Sequence, residues 1–241
     1  FPTRRSSDLA TTATLSGMDR EAHSAASAAR RVRFDDALLY LVCAARPGGR
    51  EPEDVLRAAI AGGVGMVQLR EKELGDSALG EITKRFLEVC RPHDVPVIVN
   101  DRPEVAVAAG ADGVHVGQDD TRTGRVRELV PDEMIVGLST HSPDQIADVD
   151  PSFVDYIGVG PVFETPTKPG RPAVGLNLVA HAFEHSPVPW FAIGGIDTTN
   201  ANKVVAAGAK RVAVVRAVAD ADDPEPEARA LVDILRGVPD Q

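Results

Sequence analysis

Residues 106–116 read AVAAGADGVHV. A helix end made of small residues runs into a glycine, and the glycine leads into a short apolar run suited to a buried strand. The same design stands at 58–68, AAIAGGVGMVQ, and at 204–214, VVAAGAKRVAV. Alanine and glycine at the junction let helix and strand approach closely. Helix–strand units this short imply parallel strands joined by right-handed crossovers.

Outward from these three stretches, apolar runs recur at 37–43 (ALLYLVC), 65–70 (GMVQLR), 95–100 (VPVIVN) and 113–117 (GVHVG). Four more stand at 134–139 (MIVGLS), 155–160 (DYIGVG), 189–194 (PWFAIG) and 211–216 (RVAVVR). Pro52, Pro103, Pro143 and Pro224 mark helix starts, because proline is tolerated in the first helical turn. Gly62, Gly110 and Gly208 mark helix ends. Eight such units in about 205 residues predict an α/β fold, a single (β/α)8 TIM barrel. An open doubly wound sheet is the alternative, though it usually has fewer strands.

Composition agrees with that class. Hydrophobic residues make up 43% of the chain and aromatics only 4%, so the expected core is Val, Ala, Leu and Ile, as in parallel strands covered on both faces. The formal charge of −10 disfavours nucleic acid or an anionic membrane as partner. Cys43 and Cys90 have no metal-binding spacing, and no apolar run approaches the ~20 residues of a membrane span. The expectation is a soluble cytoplasmic protein, compatible with a homo-oligomer. Residues 1–33 differ from the rest: they are rich in Ser, Thr, Ala and Arg and carry no sustained apolar pattern. They are expected to be a disordered extension unrelated to function, with FPTRRSSDL non-native and the natural start near Met18. The catalytic domain is then 34–241.

In such a barrel chemistry gathers at the C-terminal strand ends. Strand 2 ends QLREK, where alternation puts Gln68, Arg70 and Lys72 on one side. The plainer reading is a solvated surface with Glu71 and Glu73 pairing the cations. Strand 3 ends in Asn100 and Asp101, which also suit helix capping before Pro103. Strand 4 carries His115, more often a packed core residue than a catalyst, and ends at Gln118, Asp119 and Asp120. Strand 5 offers Ser139, Thr140 and His141, and strand 6 offers Thr165, Thr167 and Lys168. Gly194 and Gly195 follow strand 7 and would expose amides beside a helix start, a common phosphate site. Together, Arg70, Lys72 and Lys168 suit an anion such as diphosphate. Asp101 and Asp120 would repel that anion unless Mg²⁺ joined them to it, since Mg²⁺ takes one or two carboxylates plus phosphate oxygens and water.

The motifs VQLREK, VND, GVHVGQDD, GLSTH, DYIGVGPVFETPTK and AIGGI, in this order, closely resemble the thiamine-phosphate synthase family over residues 37–236. The resemblance implies a transferase joining hydroxymethylpyrimidine diphosphate to thiazole phosphate, with Mg²⁺ as cofactor and no nucleic-acid or membrane partner. It implies pyrimidine-diphosphate ligands at Gln68, Arg70, Lys72 and Asn100, and metal carboxylates at Asp101 and Asp120. Ser139 and Lys168 would complete the diphosphate environment; Thr165, Thr167, Gly195 and the backbone around Val215 and Arg216 would meet the thiazole phosphate. Arg216 stands where the family often carries a small polar residue. Glu164 puts an acid beside Thr165 and is expected to point outward. A thiazole tautomerase-like relative using His141, and a non-catalytic sensor barrel, are the rival readings, but neither needs the carboxylate pair.

Overall fold

The computed structural model describes residues 31–165 and 172–237. Eight strands close into a barrel in sequence order, each parallel to its neighbours. They are β1 Leu39–Cys43, β2 Met66–Leu69, β3 Val97–Asn100, β4 Gly113–Val116, β5 Ile135–Thr140, β6 Tyr156–Val159, β7 Trp190–Ile193 and β8 Val212–Val214. The β1–β8 pairing, with Leu39 opposite Val212, closes the ring. The fold expected from the repeated units is therefore the one observed. Most strands are one to three residues shorter than their apolar runs: β1 and β3 begin two residues late, while β2, β4, β6, β7 and β8 end before the last residue of the run.

The helices are α1 Pro52–Ala61, α2 Asp76–Cys90, α3 Pro103–Ala109, α4 Thr123–Leu129, α5 Pro143–Ala147, α6 Gly175–His185, α7 Ala201–Ala206, α8 Arg216–Ala219 and α9 Pro224–Arg236. Pro52, Pro103, Pro143 and Pro224 each open their helix as expected. Gly62 needs a different explanation. Its φ is an ordinary −78°, and the left-handed turn falls to Gly63, at φ +100°. Gly62 is small for packing: a Cβ there would lie 2.4 Å from the Glu225 carbonyl and 2.6 Å from the Ala228 methyl, both on α9.

Strand alternation sorts the core into layers. Leu39, Leu41, Val67, Leu69, Val97, Val99, Val114 and Val116 face the helices. Their alternates face inward. The lower interior is filled by Phe34, Tyr40, Met66, Ile98, Ile135, Tyr156 and Phe191. An all-aliphatic core was expected; the scarce aromatics instead concentrate inside the barrel. Tyr40, Tyr156 and Phe191 meet edge-on at 5.2–5.8 Å between ring centres, the arrangement that aromatic quadrupoles favour. Phe34 closes this floor from below, 5.6 Å from Tyr156. Among the described residues no helix is long and apolar enough to cross a membrane.

Candidate active site

The upper interior is polar for the same geometric reason that the lower interior is apolar. Gln68, Asn100, His115 and Ser139 hold the inward positions one step above Met66, Ile98, Gly113 and Gly137. They line a cavity of about 570 Å³ that opens at the C-terminal rim. Arg70, His141, Thr165, Gly195, Val215 and Arg216 line it as well. The sequence reading is thus brought together at Gln68, Arg70, Asn100, Ser139, Thr165, Gly195, Val215 and Arg216. Thr167 and Lys168 lie outside the described residues.

Lys72, Asp101 and Asp120 flank the cavity rather than line it. The shared face expected for Gln68, Arg70 and Lys72 holds only as far as the strand does, and β2 stops at Leu69; Lys72 is exposed in the following bend. It still reaches Asp101 electrostatically. The pairing of the cations with Glu71 and Glu73 that the plainer reading required is not seen. Glu71 accepts instead from the backbone amides of Glu73 (3.3 Å) and Ala45 (3.4 Å). Among the described residues neither Arg70 nor Lys72 has a carboxylate partner within ion-pair distance, so both charges remain available to an anion.

Asp101 is not a helix cap. The residue before α3 is Arg102, and no side chain caps that helix. Asp101 sits at φ +65°, a left-handed conformation uncommon outside glycine. Its amide donates to the His115 carbonyl (2.8 Å), and Arg102 N donates to Asn100 O (2.9 Å). This turn aims the carboxylate across to Asp120, whose Oδ2 accepts from Gly117 N at 2.7 Å. Burial first, then Asp120 as hydrogen-bond partner and like charge, push the Asp101 carboxyl up to about 6; Asn100 and Lys72 pull the other way. Two all-oxygen donors forced together fit a small hard cation. Among the described residues no group of three or more His, Cys, Asp or Glu gathers as a metal site, so any cation here would rely on water and ligand oxygens for its remaining positions.

The loops are braced from outside. Arg102 donates to Leu74 O (2.6 Å), Lys72 O (3.3 Å) and Asp76 Oδ1 (3.0 Å), tying the Lys72 loop to the Asp101 turn. Gln118 Nε2 donates to Ser139 O (2.6 Å), tying the Asp120 loop to β5. On the far side, a Cβ on Gly194 would lie 2.5 Å from Pro161, and one on Gly195 would lie 2.8 Å from Phe163 Cβ. The glycine pair therefore serves close packing of two rim loops. It does not abut a helix start, since α7 begins only at Ala201. Glu164 is exposed, yet at the cavity mouth rather than turned wholly away.

The sequence reading missed Tyr40, Tyr156 and Arg102. The two tyrosines are the only ones in the chain, and both fall on inward strand positions. That parity, applied to β1 and β6 as it was to β2, would have found them.

Fold and cavity together define a TIM-barrel enzyme with its site at the C-terminal strand ends. The chain belongs to the thiamine-phosphate synthase family of transferases, since residues 39–218 match the family described as thiamine monophosphate synthase. It is 48% identical over 203 residues to a thiamine-phosphate synthase of Thermus thermophilus, covering 83% of this chain and 98% of that one. It is 48% identical over 191 residues to one of Acidothermus cellulolyticus, covering 78% and 90%. Among solved structures, a thiamine phosphate pyrophosphorylase from Pyrococcus furiosus superposes with a TM-score of 0.77 at 30% identity, covering 86% of this chain and 98% of that one. A 3-hexulose-6-phosphate synthase of Salmonella typhimurium, at 17% identity and TM-score 0.61 over 82% and 98%, shares the fold alone.

Proposed function

We propose that the protein, through a catalytic unit at 34–241, joins hydroxymethylpyrimidine diphosphate to thiazole phosphate, giving thiamine phosphate and diphosphate. The observation that carries this reading is one cavity wall bearing Gln68, Arg70, Asn100 and Ser139, with a pair of contacting carboxylates at its edge. A cation and three uncharged polar side chains suit a diphosphate-bearing heterocycle. The carboxylate pair has no use in that setting without a cation.

The bond between the pyrimidine methylene carbon and the diphosphate oxygen breaks first, and its electron pair leaves on the diphosphate. The thiazole nitrogen lone pair then forms the new C–N bond. Catalysis here means stabilising the departing charge and holding both reactants in line. Arg70 and Lys72, which have no carboxylate partner among the described residues, offset the charge growing on the diphosphate, and Lys168 belongs to the same role. Gln68 and Asn100, buried on rigid strands, orient the pyrimidine. Thr165, Gly195, Val215 and Arg216, at the opposite rim, hold the thiazole phosphate, and Thr167 is assigned the same ligand. Asp101 and Asp120 would hold Mg²⁺, which when bound adds positive charge beside the diphosphate oxygens.

The test is to mix the protein with both substrates, with and without Mg²⁺, and follow diphosphate release and thiamine phosphate formation. Release that requires both substrates and the metal is the expected result. No release under any of these conditions sinks the reading.

A further inference from the structure

Along the floor of the cavity, where Tyr40, Gln68, His115 and Ser139 line it, runs a continuous chain of polar groups that continues beneath through Tyr156. Gln68 Nε2 donates to the Tyr40 hydroxyl at 2.6 Å. The Tyr40 and Tyr156 hydroxyls are 2.8 Å apart. The Tyr156 hydroxyl is 3.0 Å from His115 Nδ1, and His115 Nε2 is 2.9 Å from Ser139 Oγ. Tyr156, Tyr40, Gln68 and His115 are 0%, 2%, 4% and 8% exposed, so the chain is shielded from competing water. It also occupies space made for it. A Cβ on Gly137 would lie 2.4 Å from the Tyr156 hydroxyl oxygen and 2.5 Å from His115 Nδ1.

Each phenol has one hydrogen to give, which fixes the direction of the whole chain. Tyr40 accepts from Gln68, so its hydrogen goes to Tyr156. The Tyr156 hydrogen then goes to Nδ1 of His115. That nitrogen must be bare, so the ring proton sits on Nε2 and is donated to Ser139 Oγ. Ser139 keeps its own hydrogen for another acceptor. Among the described residues its hydroxyl meets no other protein group, and the side chain lines the cavity. Burial raises both phenols above their ordinary range, which keeps them as O–H donors.

We infer that His115 is a positioning residue, locked as the Nε2–H tautomer by the Gln68–Tyr40–Tyr156 chain so that the Ser139 hydroxyl presents its hydrogen to the substrate. Which substrate oxygen or nitrogen receives it rests on the proposed synthase reading; the tautomer does not. A reversed chain, with the Gln68 carbonyl toward Tyr40, would put the proton on Nδ1 and make Ser139 an acceptor. A departing diphosphate needs donors, so only the direction that starts from the Gln68 amide nitrogen serves it.

The experiment is a long-range ¹H–¹⁵N spectrum of the full chain labelled at histidine, with the His115 signal assigned by its loss in His115→Gln. A protonated Nε2 and an unprotonated Nδ1 are expected at neutral pH. A proton on Nδ1, or a mixture of tautomers, overturns the inference whether or not the protein shows synthase activity. Tyr156→Phe should then mix the tautomers and lower kcat roughly tenfold, with KM within about twofold. Ser139→Ala added to it should cost little more, because both changes remove the same donor. Full additivity, or an unchanged tautomer in Tyr156→Phe, counts against the chain. If Tyr156→Phe does not fold, Tyr40→Phe removes the preceding donor in the chain and is read by the same two signals. Absence of condensation in the wild type alongside the expected tautomer would speak against the synthase reading and leave the chain standing.

Discussion

Asp155 and Asp101 sit at opposite ends of the barrel and in opposite electrostatic company. Asp155 precedes β6 at the floor and is fully buried. Its Oδ2 accepts from Arg127 at 2.9 Å and from Val136 N at 2.8 Å. Arg127 also donates to Met134 O at 2.7 Å, so the ion pair is stitched to the backbone. Asp101 follows β3 at the rim, and its close companion is another acid, Asp120. At the floor a buried charge is matched by the protein itself. At the rim the protein offsets the two acids only in part, through Asn100 and Lys72. The two ends share one strand architecture, so the difference lies in what the loops bring. Floor loops complete a charge pair, while rim loops leave one open.

The comparison can be broken most forcefully at the floor. Asp155→Ala leaves Arg127 buried without its partner and should cost about 3–5 kcal/mol, seen as a lower denaturant midpoint. Turnover per folded molecule should fall far less than stability does, since Asp155 does not line the cavity and reaches it only through Tyr156. A loss below about 1 kcal/mol would make the pair ornamental. At the rim the effects should reverse. Asp101→Ala and Asp120→Ala should each lower kcat/KM at least roughly a hundredfold, with no fall in the denaturant midpoint for Asp101→Ala. Near-normal turnover in either variant removes that residue from the proposed metal site. A smaller effect is expected from Arg102→Ala, which frees the Lys72 loop: KM for the diphosphate substrate should rise roughly fivefold. An unchanged KM would show that the brace holds the loop without serving the site.

The same contrast explains what could be read in the sequence. Strand existence and inward parity were legible, because apolar runs and alternation follow from covering a barrel on both sides. Parity put Gln68 into the cavity, and position at the strand ends put Asn100 and Ser139 there. Parity failed where the strand stopped, as at Lys72, because alternation has no meaning in a bend. The aromatic floor was hidden, since a low aromatic fraction says nothing of where the few rings go. Glu71 looked like a partner for the adjacent cations, yet its carboxylate folds back on backbone amides, a choice set by loop geometry that residue order does not encode. The left-handed turn at Asp101 was likewise invisible, although it is what turns the carboxylate toward Asp120.

The smallest effect sharpens the contrast most, because its sign is opposite to intuition about removing a charge from a protein. The Asp101 carboxyl is raised from an ordinary value near 3.8 to about 6 in the metal-free fold. Folding therefore favours its protonated form. Its contribution to stability is fully present below about pH 4 and is lost as pH rises through about 6. At neutral pH the metal-free protein carries that penalty, and Asp101→Asn should remove it. Allowing for solvent screening of a half-buried group, the variant should gain about 1 kcal/mol above pH 6 and nothing near pH 4. Mg²⁺ should stabilise the wild type at pH 7.5, because cation binding to the folded state relieves the same repulsion, and should do so far less for Asp101→Asn. Thermal denaturation at the two pH values, with and without Mg²⁺, reads all four states. A variant less stable than the wild type at neutral pH, with a metal response intact, would mean that Asp101 is matched within the protein after all, and that rim and floor are built on the same plan.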